Sequence, residues 1–161
     1  MTPIVRATLF ASLIAFAPMA FENSARAASA VYCPDGASHR FVHAVPAALE
    51  PGVAATFGIG VDQVRAAAVV RCVGSQLLAC WVGANLNCGK ADTRRRLVGA
   101  TAFCRDNPGA AVVPMVATGH DTIYDWGCVK GRAVAGKVVM AVDPQGYIQE
   151  NWRAVKWAEI R

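Results

Sequence analysis

The stretch that decides the fold is VVRCVGSQLLACWV, residues 69–82. Two runs rich in β-forming residues, 69–73 and 77–82, flank the dipeptide Gly74-Ser75, which is typical of a tight turn between antiparallel strands. The stretch therefore predicts a β-hairpin.

Upstream of this hairpin the patterns are shorter. Val61–Ala68 has apolar residues three and four apart with Asp62 in the first turn, which predicts a short helix. Residues 46–60 are interrupted by proline and glycine and predict a loop with a helical turn. Residues 31–45 predict two short strands joined by a turn at Pro34-Asp35-Gly36.

Downstream, the sequence predicts one main helix over residues 93–105, capped by Asp92 or Thr93. Its apolar face would comprise Leu97, Ala100, Phe103 and Cys104, and Asn107-Pro108-Gly109 would end it.

A second hairpin follows the helix. Residues 112–116 predict an edge strand because Pro114 interrupts them. Residues 122–129 alternate as a strand, 130–132 form a turn, and 134–142 return as the partner strand. After a turn at 143–146, the tail from 147 to 161 is predicted to be a short helix, although its aromatic residues would also suit a strand. Hairpins with one inserted helix give an α+β class, with a small antiparallel sheet.

Residues 1–30 have the layout of a cleaved secretory signal peptide. Arg6 precedes an apolar run over residues 7–21, and Ala25-Arg26-Ala27 or Ala28-Ser29-Ala30 offers a cleavage site. The run is shorter than the roughly 20 apolar residues that a membrane span requires. We expect an exported chain without stable membrane insertion, with residues 31–161 as a single domain.

All six cysteines follow the predicted cleavage site, and an even number in an exported chain predicts three disulfides. No two of them have the close spacing typical of a structural zinc site. Spacing does not fix the pairing, although a Cys88–Cys104 bridge would tie a loop to the helix after it. The cysteines are Cys33, Cys72, Cys80, Cys88, Cys104 and Cys128.

The segment GHDTIYDW, residues 119–126, concentrates groups that carry chemistry. His120 and Asp121 are weak candidates for an acid–base pair, with Asp125 as a partner carboxylate. As a recognition surface, the segment would use His120, Tyr124 and Trp126, since aromatic side chains often anchor interfaces. Alternatively, Tyr124 and Trp126 are core residues and Asp121 begins a strand.

The chain has a net charge of +5, and Arg94-Arg95-Arg96 with Lys90 is its main basic cluster. This cluster would bind an anionic partner or form a solvated helix face. An exported chain without a nucleic-acid reading motif is not expected to bind nucleic acid.

Other catalytic and cofactor signatures are weak. Ser38, beside His39 and near His43, lacks the glycine frame of a nucleophile elbow. The two histidines suggest at most a weak metal site, and Gly58-Ile59-Gly60 lacks the third glycine of a dinucleotide site. We therefore expect no cofactor and no metal.

These observations favour a non-catalytic binding module of the periplasm or cell envelope. Its partner would be a protein or an anionic envelope component, and inhibition of an exogenous hydrolase such as lysozyme is one form. A small envelope hydrolase acting on wall polymer through His120 and Asp121 is the alternative, and a structural envelope component is a second one.

Overall fold

A computed structural model describes residues 32–34, 42–83 and 86–156 of the chain. The hairpin predicted from residues 69–82 is present as strands β2 (Ala68–Val73) and β3 (Gln76–Trp81), which pair in antiparallel register. Gly74 in the connecting turn has a φ of 58°, a left-handed conformation that glycine adopts without strain.

Two short strands complete the first sheet. β1 (His43–Ala44) pairs with β2, and β6 (Arg153–Ala154) pairs with β3, so the order is β1-β2-β3-β6. The prediction of a helix for the tail was wrong for the described part. A single 3₁₀ turn, Gln149–Asn151, precedes β6, because pairing with β3 holds the following backbone extended.

Helix α1 (Glu50–Phe57) lies where the sequence predicted a loop with a helical turn. Pro51 falls in its first turn, where the missing N–H needs no partner, and Gly58 ends it with a φ of 69°. Helix α2 (Val61–Ala67) follows as predicted. Both helices contribute to the first core, whose most buried aliphatic members are Leu49, Val53, Val64 and Ala79.

The second half contains strands β4 (Tyr124–Val129) and β5 (Arg132–Val138), a separate antiparallel pair. β5 ends four residues earlier than predicted. Helix α3 (Val98–Asp106) packs beneath this hairpin, and a single-turn helix, α4 (Met115–Thr118), packs against α3. The second core comprises Leu97, Ala100, Cys104, Val113, Trp126 and Cys128.

The main helix starts later than predicted, at Val98 rather than near residue 93. Asp92 does not cap it. The Asp92 carboxylate instead accepts hydrogen bonds from the backbone N–H and the guanidinium of Arg94, which keeps this segment in a turn. The predicted edge strand at 112–116 is also only partly present. Val113 hydrogen-bonds to the edge of β4, but α4 begins two residues later.

Three disulfides link the described parts of the chain: Cys33–Cys72, Cys80–Cys88 and Cys104–Cys128. The prediction of three bridges is confirmed. The suggested Cys88–Cys104 pairing was wrong, because Cys104 lies on α3 beneath β4 and meets Cys128 there. Each sheet therefore has a bridge of its own, and the third closes the loop after β3.

A smaller cluster of Cys80, Cys88, Tyr147 and Trp152 lies beside the first sheet. Loop 86–92 connects it to the second half, since Asp92 pairs with Thr122 in a parallel bridge and Lys90 pairs with Tyr147. Backbone contacts of this one loop therefore connect the two halves.

The α+β class with small antiparallel sheets and disulfides is confirmed. Within the described ranges, no helix is long and apolar enough to cross a membrane. The predicted signal peptide, most of the predicted turn at 34–36, and Ser38 with His39 lie outside the described residues.

Candidate functional site

The β4–β5 hairpin presents two different faces. Its inner face packs Trp126, Cys128, Ala133 and Ala135 against α3. Trp126 is only 5% exposed, and its Nε1 donates a hydrogen bond of 2.8 Å to Oγ1 of Thr122. The Trp126 side chain therefore belongs to the core and cannot serve as the exposed anchor that the recognition interpretation required.

The outer face of the same hairpin forms the floor of a cleft of about 610 Å³. On this face, Val129 and Val134 alternate with Gly127 and Gly136, which place no side chain between the valines. The absence of side chains at the two glycines leaves room for other groups of the lining to approach the strands closely.

Two segments form the walls of the cleft. On one side, residues 110–115 run along β4, with hydrogen bonds from Val113 N to Trp126 O and from Cys128 N to Ala110 O. On the other side, Val139 and Met140 follow the end of β5. The wall along β4 lies close to the backbone of that strand. A Cβ at Gly127 would be 3.0 Å from the carbonyl oxygen of Ala111.

Exposed apolar side chains concentrate around this cleft. Of nine large apolar side chains exposed among the described residues, seven lie between positions 112 and 139, and five of those seven line the cleft. A contiguous exposed apolar surface is typical of an interaction site. The five are Val112, Met115, Val129, Val134 and Val139.

Asp125 lies opposite a bulge in β5. Tyr124 pairs with Val138 and Trp126 pairs with Ala135, so Asp125 alone faces two residues of β5, 136 and 137. Its carboxylate lies over Gly136, in space that a Cβ at that position would occupy. A bulge interrupts the ladder locally, and beside this one the Asp125 side chain lies in the lining of the cleft.

The structure separates the candidate catalytic groups. His120 and Asp125 line the cleft, whereas Asp121 lines a smaller recess on the other side of His120. Oδ1 of Asp121 accepts a hydrogen bond of 2.5 Å from Nδ2 of Asn87, and its backbone oxygen binds the N–H of Asp92. The hydrolase interpretation requires His120 and two carboxylates in one concavity, and this arrangement is not formed.

The three arginines lie in the turn before α3 and not on the helix face expected from the sequence. Arg94 is paired with Asp92, and this hydrogen bond holds the pKa of the Asp92 carboxyl below its usual value, against the opposing effect of burial. The Arg95 guanidinium stacks on the ring of Tyr124 at 4.4 Å. Of the three, only Arg94 is paired with a carboxylate, so the exposed guanidinium groups of Arg95 and Arg96 keep their charge.

Sequence reasoning missed the residues that shape the cleft, Gly127, Val129, Val134 and Gly136. Their signal is present in the sequence, because β5 alternates Ala133 and Ala135 with residues that are also apolar or glycine. A hairpin with one solvated face alternates apolar with polar residues. An apolar pattern on both faces indicates a second buried or binding surface.

The described residues contain no group of three or more His, Cys, Asp or Glu side chains arranged to hold a metal ion. Comparison with protein-family models, curated proteins and solved structures finds no match to this chain.

Proposed function

We propose that this protein is an exported, non-catalytic binding module that holds an apolar peptide segment of a partner protein in the cleft above the β4–β5 hairpin. The observation that carries the proposal is the concentration of exposed apolar side chains around one cleft. The volume of the cleft, about 610 Å³, is that of a site for several side chains or a small ligand.

Two interactions on the inner face of the hairpin stabilise the shape of its outer face. The Cys104–Cys128 bridge fixes β4 to α3, and the Trp126 indole is held by Thr122 on the inner face. A surface that is already ordered loses little conformational entropy when a peptide binds. This favours binding over a purely structural role for the cleft.

Export is supported by the leader-like residues 1–30 and by three disulfides, which persist in oxidising compartments. The periplasm, the cell envelope and the medium all meet this requirement. A non-catalytic role is favoured over wall-polymer hydrolysis because the two candidate carboxylates lie in different concavities. His120 lines both, but it meets Asp125 in the cleft and Asp121 in the smaller recess, where Asp121 is bound to Asn87. A hydrolase such as lysozyme remains one candidate source of the bound segment.

The proposal is tested by selecting peptides on the oxidised, exported protein from a phage-displayed library of random dodecapeptides. Enriched peptides are then synthesised, and their affinities are measured for the wild type, Val134→Lys and Val82→Lys. The two valines are matched controls, being 44% and 45% exposed, and only Val134 lines the cleft. Lysozyme is assayed alongside, as a folded protein.

We expect apolar peptides whose binding weakens at least about tenfold in Val134→Lys and less than about twofold in Val82→Lys, because a Lys in the cleft must be desolvated. All three proteins should melt at similar temperatures. Failure to enrich any peptide, or equal binding to both variants, would refute the proposal.

A further inference from the structure

We propose that the cleft selects a positively charged group, and that Asp125 binds a Lys or Arg side chain of the bound peptide. This inference rests on the proposed function, since it specifies the chemistry of the peptide that the cleft accepts.

The charge in the cleft lining has the opposite sign to the net charge of the chain. The chain has 16 Lys and Arg against 11 Asp and Glu, yet the described cleft lining contains no Lys or Arg side chain. Asp125 is the one carboxylate in that lining, and His120 is its one imidazole. A cation entering the cleft therefore meets a carboxylate in surroundings that are otherwise apolar.

Two features of the backbone place the Asp125 carboxylate in the cleft. The bulge in β5 opposite Asp125 interrupts the regular pairing of the two strands at this position. The absence of a side chain at Gly136 then leaves room for the carboxylate, because a Cβ there would overlap with Oδ1. An alanine at position 136 would force the carboxylate to move.

The hydroxyl groups of the lining are used within the protein. Oγ1 of Thr122 accepts from Trp126, Oγ1 of Thr118 donates to the backbone oxygen of Gly119, and the Tyr124 hydroxyl donates to the backbone oxygen of Thr93 at 3.3 Å. Asp125 forms no hydrogen bond or ion pair with the described residues, and neighbouring Lys137 does not pair with it. Its acceptor oxygens are thus free for a ligand.

Apolar surroundings strengthen this contact. Opposite charges attract more strongly where water is excluded, and an ionic hydrogen bond is about twice as strong as a neutral one. A peptide whose apolar side chains fill the cleft would exclude water from the Asp125 carboxylate. The apolar and charged parts of the ligand would therefore reinforce each other.

The test compares peptide selection on the wild type, Asp125→Asn and Asp62→Asn. Both substitutions replace a carboxylate with an amide and change the net charge equally, but Asp62 lies on α2 beside the first core. The best peptide is then synthesised with Lys, Gln or Glu at its basic position, and the three affinities are measured by titration calorimetry. Gly136→Ala is included as a second way to displace the carboxylate.

We expect the wild type and Asp62→Asn to prefer the Lys peptide over the Gln peptide by about tenfold, and Asp125→Asn and Gly136→Ala to lose this preference. A positively charged protein repels basic peptides in general, so a Lys preference has to arise locally.

Each contrary result has a distinct meaning. Apolar peptides that bind the cleft without preference for Lys would overturn this inference and leave the proposed function standing. A Lys preference that persists in Asp125→Asn would also overturn it. If no peptide binds, or if light scattering shows that a second copy of the chain fills the cleft, the proposed function fails as well.

Discussion

The guanidinium of Arg71 and the carboxylate of Asp143 form a buried ion pair, with 2.5 Å between Nη2 and Oδ2. Their side chains are 1% and 9% exposed. The pair joins the middle of β2 to the turn at residues 143–146, which lies 72 residues further along the chain. Gln145 adds a second acceptor for the same guanidinium, at 2.7 Å from Nη1.

Two aromatic rings enclose this guanidinium. Its Cζ lies 4.3 Å from the ring centroids of both Tyr147 and Trp152, and Lys90 covers the Tyr147 ring at 3.9 Å. Cations over aromatic faces are stabilised by the ring quadrupole, most strongly where water is excluded. The contacts of Arg71 thereby link the segment after β5 to the first sheet.

Arg71→Met should lower the free energy of unfolding by about 3–5 kcal/mol, because it leaves the Asp143 carboxylate buried without a counter-charge. Asp143→Asn should cost a similar amount by leaving the guanidinium without its carboxylate. The double variant should cost less than the sum of the two. Urea unfolding with the disulfides intact measures all three.

The control for this cycle is Arg105→Met, which removes an ion pair with Asp106 in which both side chains are more than 70% exposed. Its cost should stay below about 1 kcal/mol. Additive effects of the Arg71 and Asp143 variants would contradict the pairing.

Asp143 should also make the free energy of unfolding depend on pH. Burial raises the pKa of its carboxyl, but the N–H of Tyr147, the Arg71 guanidinium and the N–H of Gln145 together lower it more, so the pKa lies below its usual value. A carboxyl with a depressed pKa contributes stability above its unfolded pKa of about 3.9, and that contribution is lost as the pH falls through the folded value.

The free energy of unfolding should therefore decline below about pH 4, and Asp143→Asn should remove part of that slope. Denaturant titrations between about pH 2.5 and pH 6 measure the slope. Asp106→Asn, at an exposed carboxyl, should retain the wild-type slope. Parallel curves for Asp143→Asn and the wild type would show that this carboxyl does not contribute.

The sequence predicted the elements that are specified by residues close together in the chain. Gly74-Ser75 specifies the first turn, and the apolar spacing over 61–67 specifies α2. The sequence did not predict that Arg71 would be buried, because its partners Asp143 and Gln145 are more than 70 residues away. Asp92 misled the helix prediction for a related reason, since its carboxylate binds Arg94 rather than a helix terminus.

The sequence did not predict the cleft, although it drew attention to residues at the polar end of it. Sequence analysis singled out residues 120–126 as a concentration of chemical groups. Assigning each side chain to the core or to the cleft requires knowing on which face of the strand it lies. Alternation placed Trp126 and Cys128 together, as observed. It could not show that the bulge opposite Asp125 and the missing side chain at Gly136 place a carboxylate among valines, because neither is a periodic feature.

The three disulfides should contribute unequally to stability. Their sequence separations are 8, 24 and 39 residues, and longer loops lose more entropy when closed in the unfolded chain. Replacing both cysteines by alanine should cost about 2.5 kcal/mol for Cys80–Cys88 and about 4 kcal/mol for Cys33–Cys72. Urea unfolding of each double variant measures the difference.

Peptide mapping of the oxidised protein without reduction provides the matching check. It should recover the three observed pairs, and titration of the denatured protein should find no free thiol. A peptide that links Cys88 to Cys104 would contradict the pairing and the packing of α3 beneath β4.

Trp126 distinguishes the two faces of the hairpin. Trp126→Ala should lower the free energy of unfolding by about 3–5 kcal/mol, because it removes a large buried side chain from the second core. Thr122→Val should cost about 1–3 kcal/mol, because it leaves the buried indole N–H without an acceptor. Val134→Lys on the outer face should change stability by less than about 0.5 kcal/mol. Thermal and urea unfolding compare the three, and a Trp126→Ala protein as stable as the wild type would mean that the indole is not part of the core.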